Sequence, residues 1–262
     1  MLDRQKLLKR FSNSEEKFIF AKVIDQMEIC LKRHICTFTD FLDPAKEIQY
    51  RQMLSYEESV GIWSFGGFEE AERKVIAFYP DYMNKEDLKF PISAISIKPL
   101  DKFSQPPSHR EYLGSILGTG IERTKVGDIL IFEEYAVAFV GESIADYVCN
   151  NLQKVSRIKV ENKIVDLHEV QIPKKDIKQM PYTVASLRID ALISTAFHIS
   201  RTKASDYIKA EKVSLNWVLV KSNSLEVKEG DVMTLRGHGR AKLLRVTGTT
   251  KKDRIGVIIE TY

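Results

Sequence analysis

Leu187-Arg188-Ile189-Asp190 is followed by Ser200-Arg201-Thr202-Lys203-Ala204, then by Val213-Ser214-Leu215-Asn216 and by Gly230-Asp231-Val232. The cations fall at helix starts and turns. Leu187, Ala191, Leu192 and Ala196, and later Ala204, Tyr207 and Ile208, recur at the spacing of a buried helical stripe. Charge and packing are thus assigned to different faces of one small module, a pattern that suits a polyanion. Ser186 is placed to cap the first helix and Ser200 the second, which puts Arg201 and Lys203 in the second helix's first turn. Cations there oppose the helix dipole by about 0.3–1 kcal/mol each, a cost that a bound anion offsets. Lys212, Lys221, Arg236, Arg240 and Lys242 continue the series at strand and turn positions. Residues 213–216 alternate as a strand, Gly230-Asp231 marks a turn, residues 232–235 return, and Gly237-His238-Gly239 leads into Arg240 as a flexible turn. Taken singly, Arg188 and Arg201 read equally well as partners of Asp190 or Asp206. Taken as a set, they read as an anion-binding surface.

The distribution of charge agrees. A net charge of +4 over 262 residues says little by itself. Residues 181–262, however, hold 14 Lys and Arg against 8 Asp and Glu, while the other 180 residues hold 26 against 28. The whole positive excess lies in the last third, as expected if that third meets phosphates. Cys30, Cys36 and Cys149 form neither a dense framework nor a CxxC pair, which points to a reducing compartment; with His34 they lack a fourth zinc ligand, so no metal and no cofactor are expected. The charged start of the chain and the lack of a long apolar run point to a cytoplasmic protein with no membrane partner.

Length and 44% apolar content allow two or three domains. Residues 1–80 read as a helical and short-strand region: Asn13 and Glu16 have capping-box spacing, Pro44 opens a further helix, and strands are expected at 61–65 and 75–79. Residues 81–165 read as strand (92–97), helix (108–117), hairpin (129–132 and 136–140), helix (144–152) and strand (156–160), the order of a ferredoxin-like sandwich. That layout also occurs in RNA-recognition domains, whose central strands stack bases on aromatics. The matching basic, glycine and aromatic signature is absent here, and Phe132 and Phe139 read more readily as core. Residues 166–182, rich in proline and lysine without periodicity, read as a linker, and residues 183–262 as the basic domain of two helices plus a β-sheet. The expected class is α+β: an N-terminal helical segment, a central ferredoxin-like sandwich and a small C-terminal α+β module.

The module over residues 183–240 closely resembles the RNA-binding domain named after the fourth small-subunit ribosomal protein, with its Arg-x-Asp start, Ser-Arg-x-x-Ala helix, Val-x-x-Asn strand and Gly-Asp turn. Two departures are Glu211, where many members carry glycine, and Trp217 after Asn216. Upstream, Gly66-Gly67-Phe68, Ala71-Glu72-Arg73, His109-Arg110-Glu111-Tyr112-Leu113-Gly114, Gly120-Ile121-Glu122-Arg123 and Gly127-Asp128-Ile129 resemble the YlmH family of Gram-positive bacteria over nearly the whole chain. The resemblance implies a cytoplasmic RNA-binding protein, encoded near division genes, that acts on the large ribosomal subunit in quality control of stalled nascent chains. Ribosomal RNA and tRNA would be its partners, and a monomer with no DNA partner is expected.

The candidate RNA contacts are therefore Arg188, Ser200, Arg201, Lys203, Lys212, Asn216, Lys221, Arg236, Arg240 and Lys242, with Tyr207 packed beneath them. A second contact is placed at His109, Arg110 and Arg123, although Ser108 and Glu111 also have the spacing of a helix cap. No catalytic residue is assigned. The rival class is an RNA-modifying enzyme, a pseudouridine synthase or methyltransferase. Arg188-Ile189-Asp190 superficially resembles the Arg-Leu-Asp of the former, but about 70 residues follow it, too few for that catalytic fold. The glycine-rich turns of nucleotide-binding enzymes are missing as well. A third class, a scaffold whose last domain binds an acidic protein, has the same charge requirement as RNA binding.

Overall fold

The computed structural model describes residues 3–101, 106–173, 178–250 and 253–262. It divides into two compact units, Met1–Pro173 and Lys174–Tyr262.

The first unit opens with α1 (Arg4–Leu8) and α2 (Ser14–Arg33). Asn13 caps α2 by accepting the Glu15 N–H at 2.8 Å, so the cap forms one residue earlier than a capping box with Glu16 would require. β1 (Thr37–Phe38), α3 (Pro44–Leu54), β2 (Val60–Phe65) and β3 (Val75–Pro80) follow, with Pro44 in the first turn of α3 and Asp43 capping it. The strands pair in the order β1-β3-β2, and Phe20, Ile24, Met27, Tyr50, Ile76 and Phe78 bury the helices against this small sheet.

The chain then forms β4 (Ile92–Pro99), α4 (His109–Gly118), β5 (Val126–Ile131), β6 (Ala136–Gly141), α5 (Glu142–Asn151), β7 (Lys154–Val155) and β8 (Ile158–Val165). Their order in the sheet, β5-β6-β4-β8-β7, is antiparallel throughout and is the ferredoxin-like arrangement with a short extra edge strand. Strand alternation divides the side chains. Ile95, Ile97, Ala136, Ala138 and Val140 meet Tyr112 and Ile116 of α4 and Ala145 and Val148 of α5. Ala94, Val137 and Phe139 point the other way, into a cluster with Phe41, Val75, Phe65 and Phe68 from the preceding part of the chain. Phe139 is fully buried and its ring lies 5.0 Å from that of Phe68, which settles it as core. Phe132 is half-buried and stacks on Tyr135 at 4.5 Å.

Polar contacts fasten the same seam. The Asp128 carboxylate accepts the backbone N–H of Glu72 at 2.6 Å and of Arg73 at 3.2 Å. The Arg73 guanidinium donates to the carbonyls of Val126 and Phe41, both at 3.0 Å. Burial and the nearby Arg123 lower the Arg73 pKa to about 10. The Arg123 guanidinium also turns inward, to the carbonyls of Val126 and Gly127.

The second unit contains β9 (Lys178–Val184), α6 (Ile189–Ala196), α7 (Arg201–Lys209), β10 (Val213–Leu215), β11 (Val218–Leu219), β12 (Val232–Leu235), β13 (Gly239–Thr249) and β14 (Ile255–Thr261). The antiparallel sheet runs β11-β10-β12-β13-β14-β9, with Leu192, Ile193, Ala204, Ile208, Met233, Leu235, Leu243, Val257 and Ile259 in one core against the helices. Residues 178–182, read from sequence as linker, belong to β9. Pro181 masked that strand, but it sits on the sheet's edge, where no ladder partner needs its missing N–H. Residues 174–177 of the expected linker lie outside the described residues.

Gly67 sits at φ +101°, and a methyl group there would run into the Phe139 ring. Gly67→Ala is therefore expected to destabilise the chain by about 2–4 kcal/mol from backbone strain and overpacking. Gly114, exposed within α4 with no neighbour within 4 Å of the added carbon, gives the contrast. Gly114→Ala is expected to stabilise by about 0.5–1 kcal/mol. Urea titrations of both variants measure the difference.

Candidate nucleic-acid interface

The start of α6 is set by pairing outside the helix. Ile189 donates to Leu225 O at 2.8 Å, Leu187 O accepts from Val227 at 2.9 Å, and the Arg188 backbone forms an isolated antiparallel β-bridge with that of Glu226. Arg188 is consequently extended, and Arg188 rather than Ser186 occupies the N-cap position. The extended backbone lets the Arg188 side chain fold back onto Asp190, with Nε to Oδ1 and Nη2 to Oδ2 both at 3.2 Å. Asp190 is only 5% exposed. It also accepts the Ala191 N–H at 2.9 Å and Arg201 Nη2 at 2.8 Å. Burial pushes its pKa up, but the hydrogen bonds and charges of the two arginines outweigh that and hold it below the ordinary carboxylate value. One buried carboxylate thus joins the starts of two helices.

The clamp leaves the arginines usable. Their side chains remain 44% and 52% exposed, and their combined charge with Asp190 is one positive. Each guanidinium has five N–H donors, so several still face outward after Asp190 is served. Asp190 itself is buried and saturated, a poor setting for a nucleophile.

On α7, Ser200 Oγ accepts the Lys203 N–H at 3.1 Å and caps the helix. Lys203 lies one turn before Tyr207, and the Nζ atoms of Lys203 and Lys212 stand 5.8 and 5.6 Å from the Tyr207 ring centre. The His238 ring approaches the same tyrosine at 5.3 Å, and Arg236 N–H donates to Lys212 O at 2.9 Å. Half-buried Tyr207 therefore collects Lys203, Lys212 and His238, and the Arg236 backbone is tied to Lys212. Among the described residues none of these cations has an ion-pair partner. His238 was not selected from sequence; its place in a Gly-His-Gly turn was the available signal.

Other candidates are placed differently. Asn216, at φ 47°, and Trp217, at φ 64°, form the two-residue turn between β10 and β11. The Asn216 amide donates to Asp231 Oδ1 at 2.8 Å and accepts the Val232 N–H at 2.9 Å, so it fixes the Asn and Gly-Asp turns against each other. Lys221 is exposed after β11. On β13, Ala241 and Leu243 enter the core with the helices, so Arg240 and Lys242 project from the opposite sheet face. They do not share a surface with Arg188, Arg201 and Lys203. In the first unit, His109 and Arg110 are exposed in the first turn of α4, where Ser108 and Glu111 form a complete capping box. Arg123 is half-buried in carbonyl contacts and separate from them.

Residues 187–233 match the S4 domain family, residues 85–169 the family described as "Putative RNA-binding domain in YlmH", and residues 15–83 the family described as "YlmH, N-terminal". The Bacillus subtilis (strain 168) protein named "Ribosome-associated protein quality control protein P2" is 32% identical over 254 residues, 97% of this chain and 98% of that protein. The solved structure titled "Cell division protein ylmH from Streptococcus pneumoniae" is 26% identical, with a TM-score of 0.52, covering 62% of this chain and 98% of that one. No helix among the described residues is long and apolar enough to cross a membrane.

Asp190→Asn is expected to cost about 1–3 kcal/mol at neutral pH, since three charge-assisted bonds to a buried acceptor weaken. The folded-state pKa is depressed, so the native aspartate's contribution is complete above its unfolded value and lost as pH falls through the folded one. The stability gap between the two chains should close below about pH 4. Urea midpoints measured across acid pH follow it, and a gap that persists unchanged there contradicts the ion-pair account.

Proposed function

Because the chain belongs to the YlmH family, we propose that it is a non-catalytic protein that grips structured RNA through its S4 domain and works on the ribosome. The observation that carries this reading is the pairing of two half-exposed arginines, fixed by Asp190, with the lysines and histidine gathered around Tyr207. Arg188 and Arg201 supply planar forks that suit phosphate oxygens, while Lys203 and Lys212 act as mobile point charges. The start of α7, with its remaining N–H groups and positive dipole end, adds to the same field.

Such a surface reads the course of a phosphate backbone and carries little base information. A double-helical RNA keeps its base edges in a deep, narrow groove, so shape governs selection. The relative's printed name places that protein in ribosome-associated quality control. We carry the role over to this chain, with large-subunit ribosomal RNA and tRNA as the RNAs gripped, the chain acting as a monomer in the cytoplasm. Arg240 and Lys242, on the other sheet face, are assigned no part in this grip, and Asn216 is assigned the support of its turn.

Replacing Lys203 and Lys212 together by alanine should weaken binding to a synthetic RNA stem–loop and flatten the log–log salt dependence by about 1.4–1.8, at roughly 0.7–0.9 for each phosphate no longer neutralised. Both side chains are exposed, so the chain should stay folded, with the unfolding midpoint lowered only by the loss of their contacts with Tyr207. An unaltered salt slope refutes the placement. Crosslinking in cells followed by sequencing should recover large-subunit ribosomal RNA and tRNA; recovery of neither refutes the ribosomal assignment.

A further inference from the structure

Residues 85–169 match a family described as RNA-binding, yet the usual surface for that task in a ferredoxin-like domain is closed. Single-stranded RNA is held there by aromatics on the open face of the central strands. Here that face packs on Phe41, Val75, Phe65 and Phe68, and Phe139 at its centre is fully buried. The half-buried Phe132 and Tyr135 stack on each other beside exposed Glu133 and Glu134, which repel phosphate. Any RNA contact of this domain has to lie elsewhere.

We propose that the β7–β8 hairpin, through Lys154, Arg157 and Lys159, together with His109 and Arg110 in the adjoining first turn of α4, forms a second RNA-phosphate contact. This rests on the RNA-binding reading above and adds a second surface to it. Lys154 and Lys159 stand directly opposite each other across the two strands. Like charges so placed repel, and neither they nor Arg157, His109 and Arg110 have an ion-pair partner among the described residues.

The turn of the hairpin docks on α4, with the Ser156 N–H donating to Ser115 Oγ at 3.2 Å. Glu111, in the first turn of α4, also meets the Ser156 side chain, which brings that turn beside the hairpin. Glu111, the carboxylate at this junction, is occupied by the Ser108 N–H at 2.8 Å and the Ser108 hydroxyl at 2.9 Å. Asp101 lines the shallow depression beside Arg157 and Lys159, and Glu161 opposes Lys98 across β4 and β8. Glu133 and Glu134 line a neighbouring depression with Asp101 and Ile158, so carboxylates flank the hairpin on that side, while Lys154, Arg157 and Lys159 themselves stand exposed on it. Phosphate is the ligand chemistry that relieves the repulsion. An RNA backbone is favoured over an acidic protein because the domain's family is described as "Putative RNA-binding domain in YlmH" and the depression beside Arg157 and Lys159 offers a single exposed apolar side chain, Leu100, where a protein partner would be held by several.

The test uses the full chain and the same synthetic RNA stem–loop. Lys154, Arg157 and Lys159 are replaced together by glutamine, and the salt dependence of binding is compared with that of the natural chain and of the Lys203→Ala, Lys212→Ala chain. The hairpin variant should flatten the slope by about 2.1–2.7, for three phosphates at roughly 0.7–0.9 each. The charge-preserving set Lys154→Arg, Arg157→Lys and Lys159→Arg should keep the natural slope, and thermal unfolding checks that both sets stay folded. A natural slope in the glutamine variant, with a flattened one in the lysine-pair variant, overturns the hairpin contact and leaves the S4 reading standing. The reverse result supports the hairpin and overturns the S4 placement. Photocrosslinks from residue 157 that reach ribosomal protein instead of RNA also overturn the hairpin contact.

Discussion

A single buried carboxylate, Asp190, accepts from a backbone N–H, from Arg188 and from Arg201, and by doing so it joins the starts of α6 and α7. A lone ionised carboxylate at that depth would be costly, and the arginines remove the cost by keeping it charged. In exchange they lose the freedom to wander. Two long side chains that would otherwise sweep solvent are held in place with their outer donors turned to the exterior, so less entropy is lost when an anion arrives. The Tyr207 ring does the same more weakly for two ammonium groups, with cation–π attraction of about 0.5–1 kcal/mol at such exposed sites. The proposed interface is therefore ordered by internal contacts of the domain itself.

The first unit follows a different rule. Its central sheet is covered by helices on one face and by aromatic side chains from the N-terminal part on the other, and the polar seam of Asp128, Arg73 and the carbonyls of Phe41 and Val126 fixes the junction. Arg73, Arg123, Gly127 and Asp128, conspicuous as motif residues in the sequence, are the parts of this seam. Gly127 is small because Phe41 occupies the space beside it, with its ring 2.6 Å from where a side chain would begin. These four motif residues report packing between chain segments, whereas His109 and Arg110 of the neighbouring motif stand exposed.

Much of this was legible in the sequence because it is written in local patterns. The alternation of residues 92–97 and 136–140, the stripes of α4 and α5 and the Ser108 and Ser200 caps are short-range signals that determine the order of elements. What was not legible depends on contacts distant along the chain. The pairing of Leu187 and Ile189 with residues 225–227 moved the start of α6, and no neighbouring residue announces it. Strand β9 was hidden by Pro181 and its exposed edge position. The ion pair of Asp190 with both arginines was one of two readings that spacing alone could not separate, and only the folded geometry decides between them. Likewise the alternation of β13 shows that Arg240 and Lys242 leave the sheet away from the helices, although in sequence they stand among the other cations.

The aromatic seam has a consequence for how the chain can be divided. A fragment cut at residues 80 and 81 would carry the complete ferredoxin-like order of elements, yet it would present Ala94, Val137 and Phe139 to water as an uncovered oily plane. Its missing partner is the preceding segment, which in turn would lose the support under Phe41 and Phe68. The two segments match separate family models, yet they share one aromatic cluster, and the smallest piece that keeps that cluster whole spans both.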